Sequence, residues 1–254
     1  MASLRVLTAN IHKGFSMSSR RFVLPELREA IRAERADLVF LQEVLGEHSG
    51  HSRRHPAWPA VPHYEYLADT LWPQFAYGKN AAYPAGHHGN ALLSRHPILQ
   101  QVNRDVSIAG HESRGVLHCT LALPDGRELH TLCVHLGLRE AHRRRQLDLL
   151  CRIVHEEVPA DAPLIVAGDF NDWRRRGHAR VEACGLHEVF ERSSGRLAAT
   201  FPARWPVLPL DRIYLRHAWA SQARVLADRP WSRLSDHATL FACVELDPPA
   251  GGAA

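Results

Sequence analysis

Lysine is nearly missing from this chain. Among 254 residues it stands only at Lys13 and Lys79, so the positive side of a formal net charge of +4 is carried by arginine. Guanidinium forks pair with phosphate oxygens two at a time, which suits a phosphodiester substrate, although a GC-rich coding bias would give the same skew. Cysteine is scarce and unpatterned: Cys119, Cys133, Cys151, Cys184 and Cys243 include no CxxC pair. Their spacing lacks the signature of a zinc or disulfide framework, and they read as small core residues. Long apolar runs are also absent, none approaching the roughly 18 residues of a membrane-crossing helix. Met1-Ala2-Ser3-Leu4-Arg5-Val6 enters a strand at once, without the segments of a signal peptide. The expectation is a soluble, cytoplasmic protein, without repeats or long linkers. One domain spans 1–246 and a short flexible tail 247–254.

What is present is a set of apolar runs that end in polar residues. Leu164-Ile165-Val166-Ala167-Gly168-Asp169-Phe170-Asn171 is a buried strand whose alternation turns Asp169 and Asn171 to one face and Phe170 to the other. Alone, this could be a strand-to-turn junction with Asp and Asn chosen for local hydrogen bonds. The same pattern returns in Leu4 to Asn10, Leu38 to Glu43, Leu132 to His135 and Leu210 to Tyr214, the last carrying Asp211. Ser235-Asp236-His237 precedes a final strand over 238–244. Strand ends supplying Asn, Glu, His and Asp imply one convergent polar site at an edge of a sheet sandwich.

The ordered set Asn10, Gln42-Glu43, His135, Gly168-Asp169-Phe170-Asn171, Asp211 and Ser235-Asp236-His237, over about residues 4 to 244, resembles the endonuclease/exonuclease/phosphatase superfamily. Segments 10–15, 86–95 and 134–142 are similar to its YbhP-like bacterial subgroup. The resemblance implies the DNase I-like α/β fold: a four-layer sandwich of two packed mixed β-sheets flanked by helices. It implies a divalent metal, Mg2+ or Mn2+, on Glu43, supported by Asn10, with Asp236 as the second carboxylate. Asp169 and Asn171 would hold or deprotonate the attacking water and bond the scissile phosphate. His237 would contact phosphate or act as base, with Asp211 fixing its tautomer, and His135 would face the leaving group as general acid. Asn90 and Arg114 resemble phosphate-assisting positions, with a turn role and a surface salt bridge as their plain alternatives. Many abasic-site nucleases carry an acidic residue two positions after the Asn10 equivalent; here it is His12, so one essential metal is expected.

Between these strands, Leu24 to Glu34 spaces Leu24, Leu27 and Ile31 as an amphipathic helix, and Arg139 to Glu157 reads as a second, with Leu147, Leu150, Ile153 and Val154 inward. The run Arg143-Arg144-Arg145 reads as a solvated face. Arg174-Arg175-Arg176 lies three to five residues beyond Asn171, where Arg174 could reach a flanking phosphate. Residues 46–88 are irregular and rich in aromatics, which select substrate or pack the loops onto the sheet edge.

Two substrate readings remain. A hydrolase of DNA or RNA phosphodiesters is motivated by His135 with His237, by the basic balance and by the arginine run. A phosphohydrolase acting on phospholipid headgroups or small phosphate esters is motivated by the aromatic stretch. No obligate protein partner is implied. A binding protein that has lost catalysis is disfavoured by the intact set of Glu43, Asp169, Asn171, Asp211, Asp236 and His237.

Overall fold

Alternation along strand β1 (Ser3–Asn10) sends Leu4 and Val6 to one face and Leu7 and Ala9 to the other, and both sets are buried. A strand apolar on both faces must lie between two other layers. In the computed structural model, which describes residues 3–51 and 54–248, β1 lies inside the first of two six-stranded mixed sheets. The first sheet runs β11 (Ala218–Leu226), β12 (Thr239–Leu246), β1, β2 (Leu38–His48), β4 (Gly86–Ser94), β3 (Gln74–Tyr83). The second runs β5 (Ile98–Asp105), β6 (Gly115–Ala122), β7 (Glu128–His135), β8 (Leu164–Asp169), β10 (Asp211–Arg216), β9 (His187–Glu188).

Each sheet holds one parallel pair bridged by a long helix. Helix α1 (Leu24–Glu34) joins β1 to β2, and α3 (Glu140–Glu156) joins β7 to β8. Leu24, Leu27 and Ile31 of α1 pack with Leu7, Val39 and Leu41 on the outer face of the first sheet. Leu147, Leu150 and Val154 of α3 pack with Leu132, Val134 and Val166 on the outer face of the second. The inner faces meet through Val6, Phe40, Cys119, Ile165, Ile213 and Leu240. The result is helix, sheet, sheet, helix, the four-layer sandwich expected. Shorter helices α2 (His63–Ala68), α4 (His178–Glu182) and α5 (Val189–Ser194) lie in connections. Among the described residues no helix is long and apolar enough to cross a membrane.

Two sequence expectations change. Cys151 on α3 and Cys184 just beyond α4 form a disulfide, their Cα atoms 5.9 Å apart, so they are not free core cysteines. The cause is tertiary: α4 packs beside α3 and brings together residues 33 apart in sequence. Arg143 is buried while Arg144 and Arg145 are exposed, so the arginine run is not uniformly solvated. Of the expected tail, residues 249–254 lie outside the described residues.

Candidate active site

Sheet register assembles half of the site. Parallel pairing of β7 with β8 sets His135 opposite Asp169, and antiparallel pairing of β8 with β10 sets Asp169 opposite Asp211. Gly168 makes this approach possible: its φ is +146°, and a Cβ there would lie 2.0 Å from the Val134 carbonyl oxygen. His135 Nε2 stands 3.4 Å from Asp169 Oδ2. Asp169 also accepts the Asn171 N–H at 2.9 Å and the side-chain amides of Asn171 and Asn10, each at 3.2 Å. Asn171, at φ +52°, anchors its amide further on the Leu136 carbonyl at 3.0 Å. His237 donates from Nδ1 to Asp211 Oδ2 at 2.8 Å, leaving Nε2 turned toward Asp169 Oδ2, 4.0 Å away. Thr200 Oγ1 accepts the Asp211 N–H at 3.1 Å and holds the strand start in place.

The first sheet supplies the other half, with looser contacts. The β2 to β4 register slips between Leu41 and Val44, and within that bulge Glu43 takes φ +56°. Bulges re-aim side chains, and here the carboxylate turns toward the cleft, 3.9 Å from Lys13 Nζ. The turn His12–Gly14 that follows β1 holds His12 and Lys13 at φ +45° and +56°. His12 Nδ1 lies 3.8 Å from Asp236 Oδ1, and Ser235 Oγ donates to the Asn10 carbonyl at 2.6 Å, tying the 235–237 segment to the end of β1.

Burial sets the protonation states. It raises the Asp169 carboxyl to about 7, although His237 pulls the other way. For His237 burial would lower the pKa, but Asp211 and Asp169 outweigh it and push it up to about 10, so the ring is an imidazolium at neutral pH. His135 is driven well below the ordinary histidine value by burial, then by Arg114 and His237, and stays neutral.

These groups line a cleft of about 370 Å3 together with Leu138, Trp173, Phe201, Leu208 and Leu210. Of the residues expected from sequence, Asn10, Glu43, Arg114, His135, Asp169, Asn171, Asp236 and His237 all line it, and Asp211 stands behind His237. Arg114 pairs with Glu112 at 3.0 Å, and its Nε has no partner among the described residues. Asn90 sits off the cleft wall, its amide spent on the carbonyls of Gly115 and Cys133 at 2.9 and 3.1 Å. Arg174 is exposed outside the cleft, its guanidinium 5.9 Å from the Trp173 ring centre.

Sequence reasoning passed over a buried ion network beneath the cleft. Arg212 Nη2 donates to the Asp172 carbonyl and carboxylate at 2.6 and 3.3 Å, while Arg143 Nη1 donates to the carbonyls of Gly137 and Leu138, both at 3.0 Å. Arg143 Nε is 3.7 Å from Asp172 Oδ1. Asp172 thus binds the loop carrying Asn171 and Trp173 to the one following His135. Strand alternation offered one clue: Arg212 occupies an apolar strand on the face opposite Asp211, a position a cation holds only with buried partners.

A buried acidic and histidine cluster suited to a metal is present: ligand atoms of Asp169, Asp211 and His237 lie within 4.8 Å of one another. Asp211 and His237 are already hydrogen-bonded together. Asn10, Glu43 and Asp236 present hard oxygen donors, and among the described residues the two carboxylates have only long contacts to cations, which fits a divalent ion better.

Residues 7–237 match the Endonuclease/Exonuclease/phosphatase family. The Escherichia coli (strain K12) protein described as "Uncharacterized protein YbhP" is 54% identical over 246 residues, covering 96% of this chain and 97% of that protein. The solved endonuclease/exonuclease/phosphatase from Beutenbergia cavernae DSM 12333 is similar in fold at 18% identity, with a TM-score of 0.78 over 98% of this chain and 73% of that one. D. rerio TDP2 complexed with single strand DNA product, also 18% identical, gives 0.72 over 96% and 100%.

Proposed function

Because the chain belongs to the endonuclease/exonuclease/phosphatase family, we propose that its cleft hydrolyses phosphodiester bonds with the help of one divalent cation, Mg2+ or Mn2+. The observation that carries this reading is the Asp211–His237 bond of 2.8 Å set beside Asp169 and His135 in one buried cleft. The His237 imidazolium, steadied by Asp211, offers its Nε2–H to a phosphoryl oxygen. Asp169, raised to about 7 and oriented by Asn171 and Asn10, is tuned to take a proton from the attacking water near neutral pH. Neutral His135 suits an N–H donor to the leaving oxygen better than a full proton source. Asn10, Glu43 and Asp236 would hold the cation, which when bound neutralises charge on the phosphoryl oxygens.

A nucleic-acid strand as substrate is supported by the basic balance and by the two histidines flanking Asp169. Part of the arginine support is withdrawn, since Arg175 and Arg176 are paired with Glu191 and Glu140. Phospholipid headgroups are the second reading, favoured by the apolar side chains at the cleft mouth. Purified protein with Mg2+ or Mn2+ should hydrolyse bis-p-nitrophenyl phosphate, and Glu43→Ala should abolish it. A variant as fast as wild type would remove the metal-dependent reading.

A further inference from the structure

Exposed apolar side chains gather at the mouth of the catalytic cleft. Leu138, Trp173, Trp205 and Val207 are 59, 38, 68 and 69% exposed. Leu138 and Trp173 line the cleft, and Trp205 and Val207 stand on the turn between Phe201 and Leu208, which line it too. That turn is held firmly. Phe201 and Leu208 form a bridge, the N–H groups of Val207 and Leu208 both reach the Phe201 carbonyl at 2.9 Å, and the buried Ala203 donates to the Asp236 carbonyl at 2.7 Å. An arginine accompanies each tryptophan: the guanidinium carbons of Arg204 and Arg174 lie 4.6 and 5.9 Å from the ring centres of Trp205 and Trp173. Apolar tips rimmed by cations, on a frame that needs no ordering, mark an interaction surface with a defined chemistry.

We infer that this rim docks on the surface of an anionic phospholipid bilayer. Trp205, Val207 and Leu138 enter the headgroup layer, and Arg204 and Arg174 pair with lipid phosphates. The aliphatic Val207 and Leu138 have no ring face on which a base could stack, and the neighbouring Arg175 and Arg176 are neutralised by glutamates, which favours a lipid surface over a nucleic-acid strand. Docking this way brings a headgroup phosphodiester to the opening above His237 and His135 without extracting the tails. That choice of substrate rests on the phosphodiesterase reading; the docking itself does not.

The test is co-sedimentation of the whole protein, without metal, with vesicles of phosphatidylglycerol or of phosphatidylcholine, beside a binding assay with a single-stranded oligonucleotide. Wild type should partition onto phosphatidylglycerol more strongly than onto phosphatidylcholine. The double variant Trp205→Ser/Val207→Ser should partition about tenfold less or weaker still, while Trp219→Ser, on the outer edge strand β11, should keep wild-type partitioning. Wild type that ignores vesicles, a double variant that partitions like wild type, or an equal loss in Trp219→Ser overturns the inference. Oligonucleotide binding lost in the double variant, with vesicles ignored by wild type, would hand the rim to nucleic acid. Because no metal is present, failure here is distinct from failure of bis-p-nitrophenyl phosphate hydrolysis.

Discussion

The two sheets contribute halves of very different finish to one cleft. On the second sheet His135, Asp169 and Asp211 are buried, and they meet their partners at 2.8 to 3.4 Å. On the first sheet Glu43 and His12 are partly exposed, sit on left-handed backbone, and reach Lys13 and Asp236 only at 3.9 and 3.8 Å. A half complete in itself is suited to handling protons. A half whose carboxylates, Glu43 and Asp236, meet their cationic neighbours at 3.9 and 3.8 Å is suited to receiving a cation. His237, carried by the segment before β12 yet bonded to Asp211 of the second sheet, joins the two.

The largest effect should come from breaking that joint. Asp211→Asn keeps the shape but removes the charge that holds His237 protonated, and it should slow bis-p-nitrophenyl phosphate hydrolysis by about 10³- to 10⁴-fold. A loss under tenfold would mean that His237 is oriented by something else. Next comes the foundation of the second-sheet half. Asp172→Ala leaves Arg143 and Arg212 as buried cations without their carboxylate and should cost about 3–5 kcal/mol in urea unfolding. A cost within about 0.5 kcal/mol, the level of an ordinary surface change, would show that the network is dispensable.

A smaller effect sharpens the contrast from the other side. Glu43→Gln should leave metal-free stability within about 0.5 kcal/mol of wild type, because its ion-pair neighbour among the described residues, Lys13, is 3.9 Å away. Wild type at a Mg2+ concentration 100 times its Kd should gain about 2.7 kcal/mol, and the variant should lose most of that gain. Equal stabilisation of both proteins would move the cation away from the first-sheet half.

The boundary between legible and illegible follows burial. Six interior strands, β1, β2, β7, β8, β10 and β12, are marked by apolar runs, and none of the four sheet edges, β3, β5, β9 and β11, is. β5 shows why: no residue from Ile98 to Asp105 is fully buried, so no run of two-sided apolar residues announces it. Site residues at the ends of interior strands were legible for the same reason. Arg143, Asp172 and the Cys151–Cys184 pair were not, because their partners come from other elements and leave no local periodicity. Asn90 resembles a phosphate-assisting position in sequence, but its amide turns to two backbone carbonyls and not to the cleft.

Acid and base should separate the halves by sign. His63 lies under Trp58 and Phe22 on the first-sheet side, with both ring nitrogens unpartnered among the described residues, and burial, then His51 and His48, push its pKa down to about 3. From the ordinary 6.5 down to about 3 the unfolded chain binds the extra proton, so this stability is whole above 6.5 and drains as pH falls. For His237, raised from 6.5 to about 10, the folded chain binds the extra proton, so stability is whole below 6.5 and drains as pH rises toward 10. Each site alone contributes a slope of at most about 1.4 kcal/mol per pH unit. Asp169, raised from 3.8 to about 7, opposes His63 across much of the acid window, so the informative quantity is the difference between wild type and variant. Urea unfolding across pH should show His63→Phe gaining on wild type only as pH falls below 6.5, and His237→Gln gaining on it only as pH rises above 6.5. Curves that move in parallel for both variants would mean that neither histidine carries the linkage.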